Sequence, residues 1–329
     1  MPSYKGSGPR MRGIRPHKRR SAYWLIPLVV FATALDAKPA WAEDDRGKVR
    51  QCENQIVDPK DWATDPRSAM SGTEDASRTW IDLRVESKDH AGMLMYIGAR
   101  HVTSPDPALF AHIEDVFKDI NPSVAFVETA NLDFMDRLPA TKEEAIQHWG
   151  EPRYLGFVAA HAGAPVRSLE PKPEDLQKHL LELFPKDRVA LLFVLRDAQA
   201  MRDRYRAFGE ALENSVSSYL SEQQNLWAKL DTPYPIRNIY DLTVKVQHYW
   251  PGLSWRDVPA EWFDPLKSPE QTGSIFVNDV VRQESIYRNH NMYAVLANAM
   301  RDGGRVVAIV GKTHVEVQQF ALRCAAERK

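Results

Sequence analysis

An α/β fold is predicted, with a mostly parallel central sheet flanked by helices and a helical insertion between its two halves; three features of the chain point to it. Short apolar runs bounded by glycine or proline alternate with stretches of helical period, in the order strand, helix, strand. The segment joining the first two of these runs is long enough for a crossover, which parallel pairing requires. The 329 residues are 43% hydrophobic and 26% charged, a composition that supports a sizeable core and excludes disordered and collagen-like classes.

The N-terminal region differs in kind from the rest. Lys5, Arg10, Arg12, Arg15, Lys18, Arg19 and Arg20 precede an uncharged run from Ser21 to Leu35, and Ala40-Trp41-Ala42 then supplies a small-x-small cleavage pattern. The run has 15 residues and includes Pro27, short of the roughly 20 that span a bilayer. Residues 1–42 are therefore expected to be an export leader cut after Ala42, giving a periplasmic or secreted product with no membrane attachment. Without them the chain has 35 basic and 43 acidic residues and no basic stripe, which argues against nucleic acid as a partner. Cys52 and Cys324 lie near the two ends of that product. In an oxidising compartment they either clamp the ends together or remain free thiols, and the sequence leaves both open.

Residues 43–75 are polar, broken by Pro59, Pro66 and Gly72, and read as an extended leader strap, with the folded domain spanning 76–329. Gly92 to Ile97 is a continuous apolar run suited to a buried strand. Ala108 to Ile120 follows in helical spacing, and Val124 to Val127 begins the next strand after Asn121-Pro122. A second, less regular cycle comprises a helix around Tyr154 to His161 and a short strand, Pro165 to Leu169. The apolar run Val189 to Leu195 fits strand or helix equally by periodicity. A helical insertion with an irregular aromatic cover is expected at about 197–272. Near the C-terminus come a helix over Asp279 to Met300, a strand over Arg305 to Val310 and a last helix from about Glu316 to Glu327.

Four ionisable residues follow apolar strands directly: His101, Glu128, Glu170 and His314. In an open parallel sheet those strand ends share one crevice, where ligands bind. His101 and His314 each stand three residues beyond a glycine, Gly98 and Gly311, and that glycine is expected to turn the chain so that the imidazole swings back over the sheet. Two imidazoles and a carboxylate, with Glu128 as the third ligand, suit a divalent metal with open positions. Amide or ester hydrolysis follows as the natural chemistry, with Glu170 as candidate base.

Gly98-Ala99-Arg100-His101, Val127-Glu128, Leu169-Glu170, Arg288-Asn289 and Gly311-Lys312-Thr313-His314 together resemble the TraB/TIKI family, in its GumN-like bacterial branch, over roughly residues 80–322. The resemblance extends to a broader fold group containing erythromycin esterases and ChaN-like haem-binding lipoproteins. It implies a metal-dependent hydrolase or peptidase using manganese, cobalt, zinc or iron. His101, Glu128 and His314 would be at the metal, Glu128, Glu170 and Arg288 would be the catalytic set, and the substrate would be a peptide or small molecule. The fold group also implies two alternatives: a haem- or iron-binding protein without turnover, and a metal-independent esterase built on histidine and Glu128. The other histidines lack this context and are expected in the surface or core. Trp227, Tyr234, Tyr249, Trp250, Trp255 and Trp262 are expected to pack a core or, alternatively, to line a groove. No Gly-x-Ser-x-Gly elbow occurs, and neither cysteine follows a strand.

Overall fold

Five strands build the central sheet: β1 (Trp80–Glu86), β2 (Met93–Ala99), β3 (Val124–Val127), β4 (Val166–Ser168) and β5 (Arg305–Gly311). The computed structural model describes residues 51–70, 78–100, 106–148 and 150–328, all within one unit, Glu43–Lys329. The expected leader, the strap at 43–50 and 71–75, and His101 lie outside the described residues. The strand order is β1-β2-β5-β3-β4. The β1 edge is antiparallel, and every other pairing is parallel. β2 and β3 are joined by a helix, but β5, from the far end of the chain, lies between them. The parallel strands finish at a common rim, with Ala99 opposite Gly311 and Val127 opposite both Ile309 and Ser168.

Helices cover both faces, each recruited by alternate strand residues. Met95, Ile97, Ala125, Val127, Val307 and Ile309 face α1 (Pro107–Ile120) and α3 (Glu151–His161), with α2 (Lys142–His148) alongside. Asp106 caps α1 by accepting from the Ala108 and Leu109 N–H groups, and left-handed Asn121 ends it. The opposite face, including Leu94, Tyr96, Phe126, Val306, Ala308 and Val310, packs under α9 (Val277–Arg301) and α10 (Lys312–Glu327).

Between β4 and β5 the chain forms a helical lobe of α4 (Pro173–Leu183), α5 (Lys186–Asp203), α6 (Gly209–Ala228), α7 (Ile239–Tyr249) and the single turn α8 (Pro269–Thr272), before α9 returns to the sheet. The ambiguous run Val189–Leu195 is helix, buried all round in a core of the lobe's own. Helical structure therefore starts at Pro173, ahead of the expected 197. Trp227, Tyr234, Trp250, Trp255 and Trp262 are buried in that core, with Tyr249 packed against it, so these rings build the lobe's interior, and Tyr234 also borders a surface cleft with Pro233, Pro235 and Tyr240. No helix among the described residues is long and apolar enough to cross a membrane.

Both strand-exit glycines depart from the expected geometry. Gly98 lies inside β2, where an added Cβ would stand 2.9 Å from Val315 Cγ2 and 3.0 Å from Lys312 Cα, so its role is to let the first turn of α10 approach the sheet. Gly311 closes β5 in extended conformation, φ −61° and ψ 141°. Because α10 begins at Lys312, His314 sits in its first turn and not on a loop.

Residues 51–70 are sewn onto α9 and α10. Cys52 and Cys324 are disulfide-bonded across 272 residues, Val57 N–H donates to the Val317 carbonyl, His290 Nδ1 lies 2.7 Å from Glu53 Oε1, and Trp62 packs on Phe320. Closing so long a loop removes much of the unfolded chain's freedom. Replacing both cysteines by serine should lower the unfolding free energy by about 2–5 kcal/mol. In urea titrations the intact protein under reductant should follow the variant's curve.

Candidate functional site

Strand alternation places Glu128. Ala125 and Val127 face the α1/α3 layer, so Phe126 and, immediately beyond the strand, Glu128 face α9 and α10. Glu170 stands two residues past the end of β4, after buried Leu169. Arg288, near the middle of α9, reaches both carboxylates. Its Nη2 donates to Glu128 Oε1 at 2.5 Å, while Nε and Nη2 form a fork on Glu170, with Nε at 2.8 Å from Oε2. The guanidinium side chain is 20% exposed and each carboxylate 11%.

Burial by itself would weaken the Arg288 charge, yet the carboxylates of Glu170 and then Glu128 outweigh it and hold the guanidinium well above its ordinary range. Arg288 is a permanent cation, and both oxygens of Glu170 are engaged in keeping it so. Glu170, expected as a base, has both oxygens bonded to Arg288 and anchors its guanidinium.

His314 is 8% exposed. Its Nδ1 is 2.7 Å from Asn289 Oδ1, which also accepts from Gln318 Nε2 at 2.7 Å. Asn289 Nδ2 faces Ser285 Oγ. These partners fix the Asn289 amide, so His314 Nδ1 donates to Asn289 Oδ1 and the ring is oriented with Nε2 toward Glu128. Nε2 faces Glu128 Oε1 at 3.4 Å, too long for an ordinary N–H···O bond. The other oxygen, Glu128 Oε2, accepts the Gly311 N–H at 2.5 Å. Tyr96 lies fully buried beneath the cluster, and burial followed by the Glu128 charge pushes its phenol well above the usual range, so it remains neutral.

Glu128, Glu170, Arg288 and His314 therefore converge at one rim from four separate elements. His101 follows Ala99, which pairs with Gly311 at that rim; its own position lies outside the described residues. Sequence reasoning missed the roles of Asn289, noted only beside Arg288, and Gln318. A usable signal existed for Gln318, which stands one helical turn from His314 and so shares its face. Among the described residues no group of three or more His, Cys, Asp or Glu side chains is arranged to hold a metal ion. Of the candidate ligands that are described, His314 Nε2 and Glu128 Oε1 stand 3.4 Å apart, and Oε1 also accepts from Arg288.

Fold and site define an α/β protein with an imidazole, carboxylate and guanidinium cluster at the C-terminal edge of a parallel sheet. No protein-family model, curated protein or solved structure matches the chain.

Substituting Arg288 by Ala leaves two poorly hydrated like charges facing each other and should cost about 3–5 kcal/mol of stability. Adding Glu170→Gln in the same chain should recover part of that loss, with both read as urea midpoints.

Proposed function

We propose that the protein is a metal-dependent hydrolase of amide or ester bonds, acting after export on a peptide or small-molecule substrate. His314, Glu128 and His101 are its metal ligands. The observation that carries this reading is the facing of His314 Nε2 and Glu128 Oε1 at 3.4 Å. An imidazole nitrogen and a carboxylate oxygen are donor types that a divalent first-row ion takes, and they face each other here beside the strand ends. The resemblance of the strand-end residues to the TraB/TIKI family supports the same assignment and supplies His101, which lies outside the described residues, as the third ligand.

Each side chain then has a defined task. Asn289, itself held by Gln318, keeps the His314 ring oriented with Nε2 toward Glu128. The Gly311 N–H and Arg288 neutralise part of the Glu128 charge and fix its orientation. Arg288, anchored by Glu170, presents a fixed positive charge where negative charge develops on an attacked carbonyl. A divalent first-row ion would supply Lewis acidity toward that carbonyl and activate water near neutral pH.

Elemental analysis of the purified protein should find bound manganese, cobalt, zinc or iron, and His314→Ala and Glu128→Gln should each abolish it while the protein stays folded. Asn289→Ala should weaken metal affinity about 10–100-fold. Undiminished metal content in His314→Ala and Glu128→Gln would end the proposal. Cleavage of a casein-derived peptide mixture should stop with chelator and return with added metal. A second reading rests on the Asn289–His314 pair, which equally orients a general base. Chelator-resistant ester hydrolysis that vanishes in His314→Ala would select it.

A further inference from the structure

Where α5 begins, the helical lobe carries a surface cleft of about 510 Å³ between the start of that helix, residues 233–237 and one face of α7. Its apolar surface comes from Pro233, Pro235, Tyr240 and Val244. Tyr240 and Val244 stand four residues apart on α7 and so share a face, 74% and 49% exposed. Leu242 and Val246 turn the opposite side of the helix into the lobe core. Two large apolar side chains left in water on a concave surface, beside two prolines, mark a place where another molecule packs.

The walls are fixed before anything binds. Tyr234, between the prolines, is 7% exposed and packs edge-on against Trp227, with ring centroids 5.0 Å apart. Asn238 caps α7 by accepting the Asp241 N–H at 2.9 Å. Asp241 in turn accepts from Arg237 Nε at 2.7 Å and from the Arg237 backbone N–H at 3.1 Å. Prolines and a pinned tyrosine lose little conformational freedom when they are covered.

Charge in the cleft is one-sided. Its lining holds three cations, Lys186, Arg237 and Lys245, against one acid, Asp241, which leaves two net positive charges. Asp241 is bonded to Arg237, and Lys186 and Lys245 make no ion pair with the described residues. Asp187, beside Lys186, accepts the Tyr249 hydroxyl at 2.6 Å, and its charge is offset by Arg188, whose guanidinium lies over Phe276. Lys186 is also the first residue of α5, where the helix end adds to the positive potential.

Two ammonium groups on flexible stems can follow carboxylates at variable positions, as a polypeptide presents them, without the planar fit that a guanidinium demands. The cleft is too open to cover most of a small ligand, as small-ligand sites do, and it is concave where a bilayer surface is flat. We propose that it is a docking surface for an acidic peptide segment of a partner protein. An apolar side chain of that segment seats against Pro235, Tyr240 and Val244, and flanking Asp or Glu carboxylates meet Lys186 and Lys245. The inference rests on the lobe alone and stands apart from the hydrolytic reading of the rim.

Fluorescence anisotropy on the intact protein tests it with three dye-labelled, end-blocked hexapeptides: Asp-Glu-Leu-Phe-Glu-Asp, its amide counterpart Asn-Gln-Leu-Phe-Gln-Asn, and Asp-Glu-Ser-Ser-Glu-Asp. The first should bind at least tenfold more tightly than either of the others. Lys186→Gln/Lys245→Gln and Tyr240→Ser/Val244→Ser should each weaken that binding at least tenfold, with urea midpoints unchanged. His314→Ala should leave it within twofold, so loss of metal with peptide binding retained separates failure of the rim from failure of the cleft. Equal affinity for the first peptide and its amide counterpart, or no binding of the first peptide, overturns the proposal. In the latter case, binding to phosphatidylglycerol vesicles identifies a lipid surface instead, and a dimer abolished by Tyr240→Ser/Val244→Ser identifies a second copy of this chain.

Discussion

The arrangement at the rim depends on one cation shared by two acids. Glu128 and Glu170 leave adjacent parallel strands at the same edge, and without a positive charge between them their carboxylates would repel in a poorly hydrated space. Arg288 resolves this with a geometry that lysine cannot reproduce, a fork on Glu170 and a further bond to Glu128. The same guanidinium also fixes how α9 lies on the sheet. One turn earlier on that helix, buried Glu284 accepts from Arg196 of α5 at 2.5 Å. Burial opposes the Arg196 charge, but Glu284 and Asp197 outweigh it and raise its basicity. A ladder of alternating charge thus runs from the strand ends along α9 into the helical lobe, so the lobe and the rim are braced by one helix.

The imidazole arrives by a different constraint. Parallel pairing places β5 at the centre of the sheet, and α10 starts with no intervening loop, which puts His314 over the middle of the rim. That start is possible because Gly98 on the neighbouring strand has no side chain to obstruct it. Asn289 and Gln318 then join α9 to α10 through a single amide oxygen, and the orientation of His314 follows from how these two helices pack. The disulfide and the strap close over the outer ends of the same pair of helices.

Much of this was legible in the sequence, and the residues show why the rest was not. Apolar runs that stop at a charged residue mark buried strand ends, and this pattern led to Glu128, Glu170 and His314. The α/β class followed from the alternation of periods, and the structure has it. Strand order was not readable, because the insertion of β5 between β2 and β3 rests on pairings between residues over 170 positions apart, with no local signature. The run Val189–Leu195 lost its helical period because all its faces are buried. Sequence could propose Glu170 and Arg288 separately but not that one anchors the other. Gln318, in an amphipathic helix, resembles a solvent-facing residue until the fold buries it.

Charge balance bears on what the rim attracts. Two carboxylates, Glu128 and Glu170, against the one guanidinium of Arg288 leave those three side chains with one net negative charge, which attracts a cation and repels an anion. A bound divalent ion would reverse that sign.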